Sequence, residues 1–132
     1  GYEQIIAFLE SNLPAPVSRE EEAESIRFAG GEPPEAIVDL TESLVVVSAF
    51  AGHWESEFRF VVTPWRIGVV HWPLLGETAL IRVLESLIVG ARQARHASYR
   101  DCLRCGARTP PEWLREDSVC HTCAAERDDA VH

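Results

Sequence analysis

Every cysteine of the chain lies in one stretch, as Cys102-Leu-Arg-Cys105 and Cys120-His-Thr-Cys123, two Cys-x-x-Cys pairs separated by 14 residues. Each pair can close a tight turn that presents two sulfurs to one tetrahedral ion, and the segment between them returns the chain for the second pair. The spacing predicts a zinc ribbon or knuckle in which Cys102, Cys105, Cys120 and Cys123 hold one structural Zn2+. Four thiolates leave no open coordination position, so the ion is expected to order the tail and to take no part in turnover. Gly106, directly after Cys105, supplies the backbone freedom a knuckle turn needs. His121 lies inside the second pair and is expected at the surface, because four sulfurs already complete the shell.

Magnitudes favour the metal. From residue 98 onward the larger apolar groups are Leu103, Trp113, Leu114 and Val119, too few to order a tail of roughly thirty residues unaided. A structural zinc contributes on the order of 10–16 kcal/mol of apparent folding free energy, against about 3 kcal/mol for a disulfide closing a loop of this length. A thioredoxin-like dithiol needs one Cys-x-x-Cys opening a helix after a strand, whereas here both pairs follow a long helical pattern in a polar segment.

Other chemistry is harder to find. The sequence holds no Gly-rich phosphate loop, no Gly-x-Ser-x-Gly elbow and no His-Glu-x-x-His, and the protein is expected to be non-enzymatic. A small hydrolase or transferase would have to bring His53 or His71 together with Asp39 or Glu42 for acid–base work. Nucleic-acid regulation through Arg100, Arg104, Arg108 and Arg115, with Tyr99 and Trp113 as stacking groups, is the other alternative. Against it, Asp101, Glu112, Glu116, Asp117 and Glu126 offset those arginines, and a four-thiolate zinc adds about −2 more.

Net charge is −9, and its placement is uneven: residues 1–60 hold 12 acidic and 3 basic side chains, residues 61–132 hold 9 of each. Such an acidic half repels phosphate backbones and attracts a basic protein. Glu20, Glu21, Glu22 and Glu24, with the interface-type aromatics Trp54, Trp65 and Trp72, are the candidate partner-binding residues. The glutamates equally suit a solvated helix face and the tryptophans a core.

The elements that must position these groups follow from periodicity. Tyr2, Ile5, Ile6 and Leu9 predict a helix over 2–12, stopped by Leu13-Pro-Ala-Pro16. Ser18-Arg-Glu-Glu21 has the form of a capping box and predicts a second short helix over 18–25. After Gly30-Gly-Glu-Pro-Pro34 the pattern turns to period two, with strands expected at 36–40, 44–50, 54–63 and 65–72, a turn at Ala51-Gly-His53 and a break at Thr63-Pro64. Leu80, Val83, Leu84, Leu87, Ile88 and Ala91 form a continuous stripe that predicts a long amphipathic helix to about residue 97. The expected fold is α+β, with short N-terminal helices on one face of an antiparallel strand meander, a long helix and a C-terminal ribbon. The domain would span 1–97, the ribbon 98–127, and 128–132 would be a disordered tail.

With 46% hydrophobic and 25% charged residues the chain has the composition of a soluble globular protein. No apolar run approaches the ~20 residues of a membrane span, and no signal-peptide pattern opens the chain, so a cytoplasmic location is expected. The pattern Cys-x-x-Cys-Gly-x-x-Thr-Pro-Pro-Glu-Trp-Leu…Val-Cys-His-x-Cys-Ala over residues 102–124 resembles the C-terminal zinc-ribbon tails of small bacterial proteins, several of which look like immunity or accessory proteins of toxin systems. That resemblance implies zinc, and an immunity-type inhibitor as the function.

Overall fold

The computed structural model describes residues 1–115 and 118–131. In chain order come helix α1 (Tyr2–Asn12), strands β1 (Val17–Glu21), β2 (Ile26–Gly30), β3 (Ala36–Leu40), β4 (Val45–Ala49), β5 (Gly52–Ser56), β6 (Arg59–Val62) and β7 (Trp65–Val70), helix α2 (Glu77–Ala97), strands β8 (Arg100–Asp101) and β9 (Arg108–Thr109), and helix α3 (His121–Val131). Single turns of 3-10 helix precede α2 at Trp72–Leu74 and follow β9 at Pro111–Trp113.

Alternation decides how these pieces pack. β1, β2, β3, β4 and β7 pair antiparallel in that order, and every second residue of the inner strands points to one face. That face buries Ile26 and Phe28, then Ala36, Val38 and Leu40, then Val45, Val47 and Ala49, and finally Val70. Ile5, Ile6 and Leu9 of α1 and Leu80, Leu84, Ile88 and Ala91 of α2 cover it, the helical stripes that period 3.6 requires. Each fully buried aliphatic side chain contributes about 1.5–3 kcal/mol. On the opposite face the Arg27 guanidinium forks onto Asp39, donating at 2.7 and 3.2 Å across the β2–β3 pair. Helix α2 lies close over β7: a Cβ at Gly68 would sit 2.6 Å from a Leu87 methyl. The register shifts between Val47 and Ser48, leaving Ile67 without a partner, so Ile67 packs on the helical side.

The α+β fold with helices on one sheet face agrees with the sequence expectation, but three elements differ. The segment expected as a helix over 18–25 is strand β1, running Val17↔Gly30 to Glu21↔Ile26 against β2. The Ser18 hydroxyl donates to the Ala29 carbonyl across that pair and caps nothing, because a helix here would have only glutamates and no apolar stripe to bury. Strand β2 itself was not expected. The single strand expected over 54–63 is the hairpin β5–β6, turning at Glu57 and Phe58, with Gly52 and His53 inside β5 rather than in a turn. A register shift between Trp54 and Ser56 puts Trp54 opposite Phe60 and His53 opposite Val61, which preserves the period-two alternation through the turn. Phe58, 92% exposed, marks the tip.

Beyond α2 the tail makes the β8–β9 hairpin, the second 3-10 turn and α3, a helix absent from the sequence expectation. The backbone of α3 takes in 128–131 of the segment expected as a disordered tail, and His132 lies outside the described residues. Among the described residues, no helix is long and apolar enough to cross a membrane.

Candidate metal centre

Two short loops build the cysteine site. In the first, Cys102 N donates to the Ala107 carbonyl at 3.0 Å and Gly106 N to the Cys102 carbonyl at 2.9 Å, which closes the chain around Cys105. Gly106 takes φ +76°, a conformation a side chain would strain. In the second, a bridge between Leu114 and Cys120 and a bond from Arg115 N to the Val119 carbonyl bring Cys120 back, and α3 then carries Cys123. Leu103 N donates to the Ser118 carbonyl at 3.0 Å and ties the two loops together.

The four sulfurs all lie within 4.8 Å of one another, with those of Cys105 and Cys120 3.9 Å apart. Tetrahedral bonding at about 2.3 Å would hold sulfurs about 3.8 Å apart, so the cluster needs only a small contraction to hold one ion. Cys102 and Cys123 are buried, Cys120 is half-buried and Cys105 is exposed. Three backbone amides, of Arg104, Cys105 and Cys120, approach the Cys102 sulfur at 3.4 Å each. Donation from Cys105 and then Cys120 pulls the Cys102 thiol down to about 6. Burial pushes the Cys123 thiol up to about 12. A divalent cation would reverse that second shift, since coordination stabilises the thiolate. The donor set, all sulfur with amides aimed at it, fits a soft or borderline divalent ion. His121 is exposed at the start of α3 and outside this cluster.

No protein-family model, curated protein or solved structure matches this chain.

The tail containing the cluster is held on the domain by a pairing that the sequence pattern did not show. Arg95, 2% exposed, donates to both carboxylate oxygens of Glu112, one at 3.1 Å, and its Nε donates to the Pro34 carbonyl at 2.9 Å. The guanidinium also lies 4.9 Å from the Phe50 ring centroid and 5.1 Å from that of Tyr99. Glu112 stands in the loop between the two cysteine pairs, so the pair joins α2 to the ribbon. A signal was present: Arg95 continues the stripe Leu84, Ile88, Ala91, where a charge has to find a buried partner. Two ribbon arginines are engaged internally as well, Arg104 on the Cys123 carbonyl at 2.6 Å and Arg108 on the His96 carbonyl at 2.9 Å.

The candidate partner-binding residues separate into two groups. Glu21, Glu22, Glu24 and Trp72 line one cleft of about 490 Å³, together with Tyr2 and Glu42. Trp72 is half-buried there, its Nε1 donating to the Thr41 carbonyl at 2.9 Å. Glu20 stands outside that lining, opposite Arg27 on the β1–β2 pair. Trp54 and Trp65 lie elsewhere. The Trp54 Nε1 donates to the Glu112 carbonyl at 3.1 Å, so this side chain anchors the tail, and Trp65 is 68% exposed where β7 begins. Of the candidate acid–base groups, His53 is on β5, His71 follows β7, Glu42 is in the β3–β4 turn and Asp39 is engaged by Arg27.

Proposed function

We propose that this protein is a non-enzymatic, zinc-containing module that binds a basic protein partner through its acidic N-terminal half. The observation that carries the zinc is the four-sulfur cluster, whose distances suit a tetrahedral ion and whose completed shell leaves no place for substrate. Carboxylates gathered with Tyr2 and Trp72 in one cleft support the basic partner. The reading extends, on the resemblance of residues 102–124, to an inhibitor of the immunity kind. Free thiols suit the reducing cytoplasm, where we place the protein.

Elemental analysis of reduced, purified protein tests the first half, with one zinc per chain expected. Substoichiometric metal after zinc-replete purification would remove it. The partner is tested by co-purification with products of neighbouring genes at low salt. Binding should be lost when Glu21, Glu22 and Glu24 are changed to lysine, and insensitivity to that reversal would end the proposal.

A further inference from the structure

Trp72 is shared by two depressions. On one side lies the acidic cleft, and on the other a largely apolar cavity of about 280 Å³ between α1 and the start of α2, lined by Ile5, Phe8, Trp72, Pro73 and Leu80, with Gln4 and Glu77 also in its wall. The hydrogen bond to Thr41 fixes the indole between them, and the Tyr2 ring lies 6.1 Å from it. The cavity is small for a free organic ligand, whose sites run to about 300–1,000 Å³, but suits one aliphatic or aromatic side chain.

Charge specifies what lies beside that side chain. Glu21 pairs with Arg19, and Glu22 accepts from the Ser25 hydroxyl at 3.5 Å. Glu24 and Glu42 have no ion-pair partner among the described residues, and Arg19 does not line the cleft. The cleft therefore carries surplus negative charge next to the Trp72 indole, which suits guanidinium or ammonium groups. A lone metal ion is not the occupant these residues fit: among the described residues only the cysteine quartet gathers its ligand atoms closely enough. An anionic membrane or a nucleic acid has the wrong sign.

We propose that the two depressions form one seat for a partner segment bearing a bulky apolar side chain next to arginine or lysine. The apolar group enters the α1–α2 cavity and the cations cross Trp72 to reach Glu24 and Glu42. This rests on the basic-partner reading above and narrows it to one location and one residue pattern.

The test uses the full 15N-labelled, zinc-replete chain and three probe peptides: acetyl-Leu-Arg-Lys-Arg-amide, the same with Gly for Leu, and acetyl-Leu-Gln-Gln-Gln-amide. The Trp72 indole N–H resonance, assigned by its loss in Trp72→Phe, is the readout, and that of Trp54 is the internal control. The first peptide should shift Trp72 and leave Trp54 in place. Glycine in place of leucine should weaken binding roughly tenfold or more. The glutamine peptide should not bind, and Glu24→Gln with Glu42→Gln should weaken binding several-fold and flatten its salt dependence. Equal affinity of the leucine and glycine peptides would overturn the two-part seat and leave the basic-partner reading standing. Equal affinity of the glutamine peptide would overturn the seat too, as a merely apolar groove. Failure of both arginine peptides to move Trp72 at millimolar concentration would remove both the seat and the reading beneath it.

Discussion

Removing the Glu112 carboxylate should be the most damaging single change in the tail that spares the cysteines. Glu112→Ala leaves the Arg95 guanidinium, 2% exposed, with one carbonyl and two ring faces but no counter-charge. Glu35, another carboxylate beside α2, is already engaged by Arg92 and His96. Breaking a buried ion pair from one side costs about 3–5 kcal/mol, most of it the penalty of the stranded charge. With a urea m-value of about 2 kcal/mol/M the unfolding midpoint should fall by about 1.5–2.5 M. The loss is capped by the docking free energy of the tail, since an undocked tail lets Arg95 hydrate. Exchange of the Trp54 indole N–H reports that release directly, because its acceptor is the Glu112 carbonyl. Glu112→Gln keeps the shape and one acceptor and should lose less. A buried pair is screened little, so the loss should persist in about 0.5 M NaCl. As a control, Arg59→Ala breaks the exposed Glu55–Arg59 pair and should cost under about 0.5 kcal/mol. If Glu112→Ala lowered stability by less than about 0.5 kcal/mol while the Trp54 indole stayed protected, the claim that this pair holds the tail would be refuted.

Three further outcomes follow from the same geometry. Stripping the metal with a strong chelator should abolish hydrogen-exchange protection in β8, β9 and α3 while the sheet core stays protected, because among the described residues the tail's own buried apolar cluster is only Cys102, Val119, Cys123 and Ala124; protection kept in the tail would contradict a metal-dependent fold. Zinc affinity, measured by competition with a chromophoric chelator between about pH 5 and 8, should fall steeply as the pH falls, because the thiols of the metal-free tail surrender protons on binding; an affinity that stayed flat across that range would refute thiolate ligation. Gly30→Ala should destabilise more than Gly68→Ala by calorimetry. A Cβ at Gly30 meets the Pro14 carbonyl oxygen at 2.6 Å, a backbone atom, while at Gly68 it meets a Leu87 methyl that can swing away for about 1–3 kcal/mol; the reverse order would count against the packing described.

How much of this was legible in the sequence depends on whether the signal was local. The cysteine cluster was, because ligand type and spacing survive whatever the rest of the chain does, and the four sulfurs do converge. Helix α2 was legible because one unbroken stripe from Leu80 to Ala91 outweighs any local ambiguity. β1 was not: Ser18 and the glutamates after it satisfy a helix-start pattern, and only pairing with β2, a long-range event, makes them a strand. The β5–β6 turn was hidden because its register keeps the alternation in phase across the reversal. Trp54 and Glu112 are 58 residues apart, and no periodicity links a hairpin residue to a loop between metal ligands.

The seat that Arg95 offers to the tail has a further consequence. Had leucine stood there, a departing ribbon would uncover a greasy scar prone to sticking to other chains. A guanidinium flanked by Phe50 and Tyr99 accepts water the moment its carboxylate leaves. Were the tail to undock, the ground beneath it would be a charge that water wets and not an oily scar.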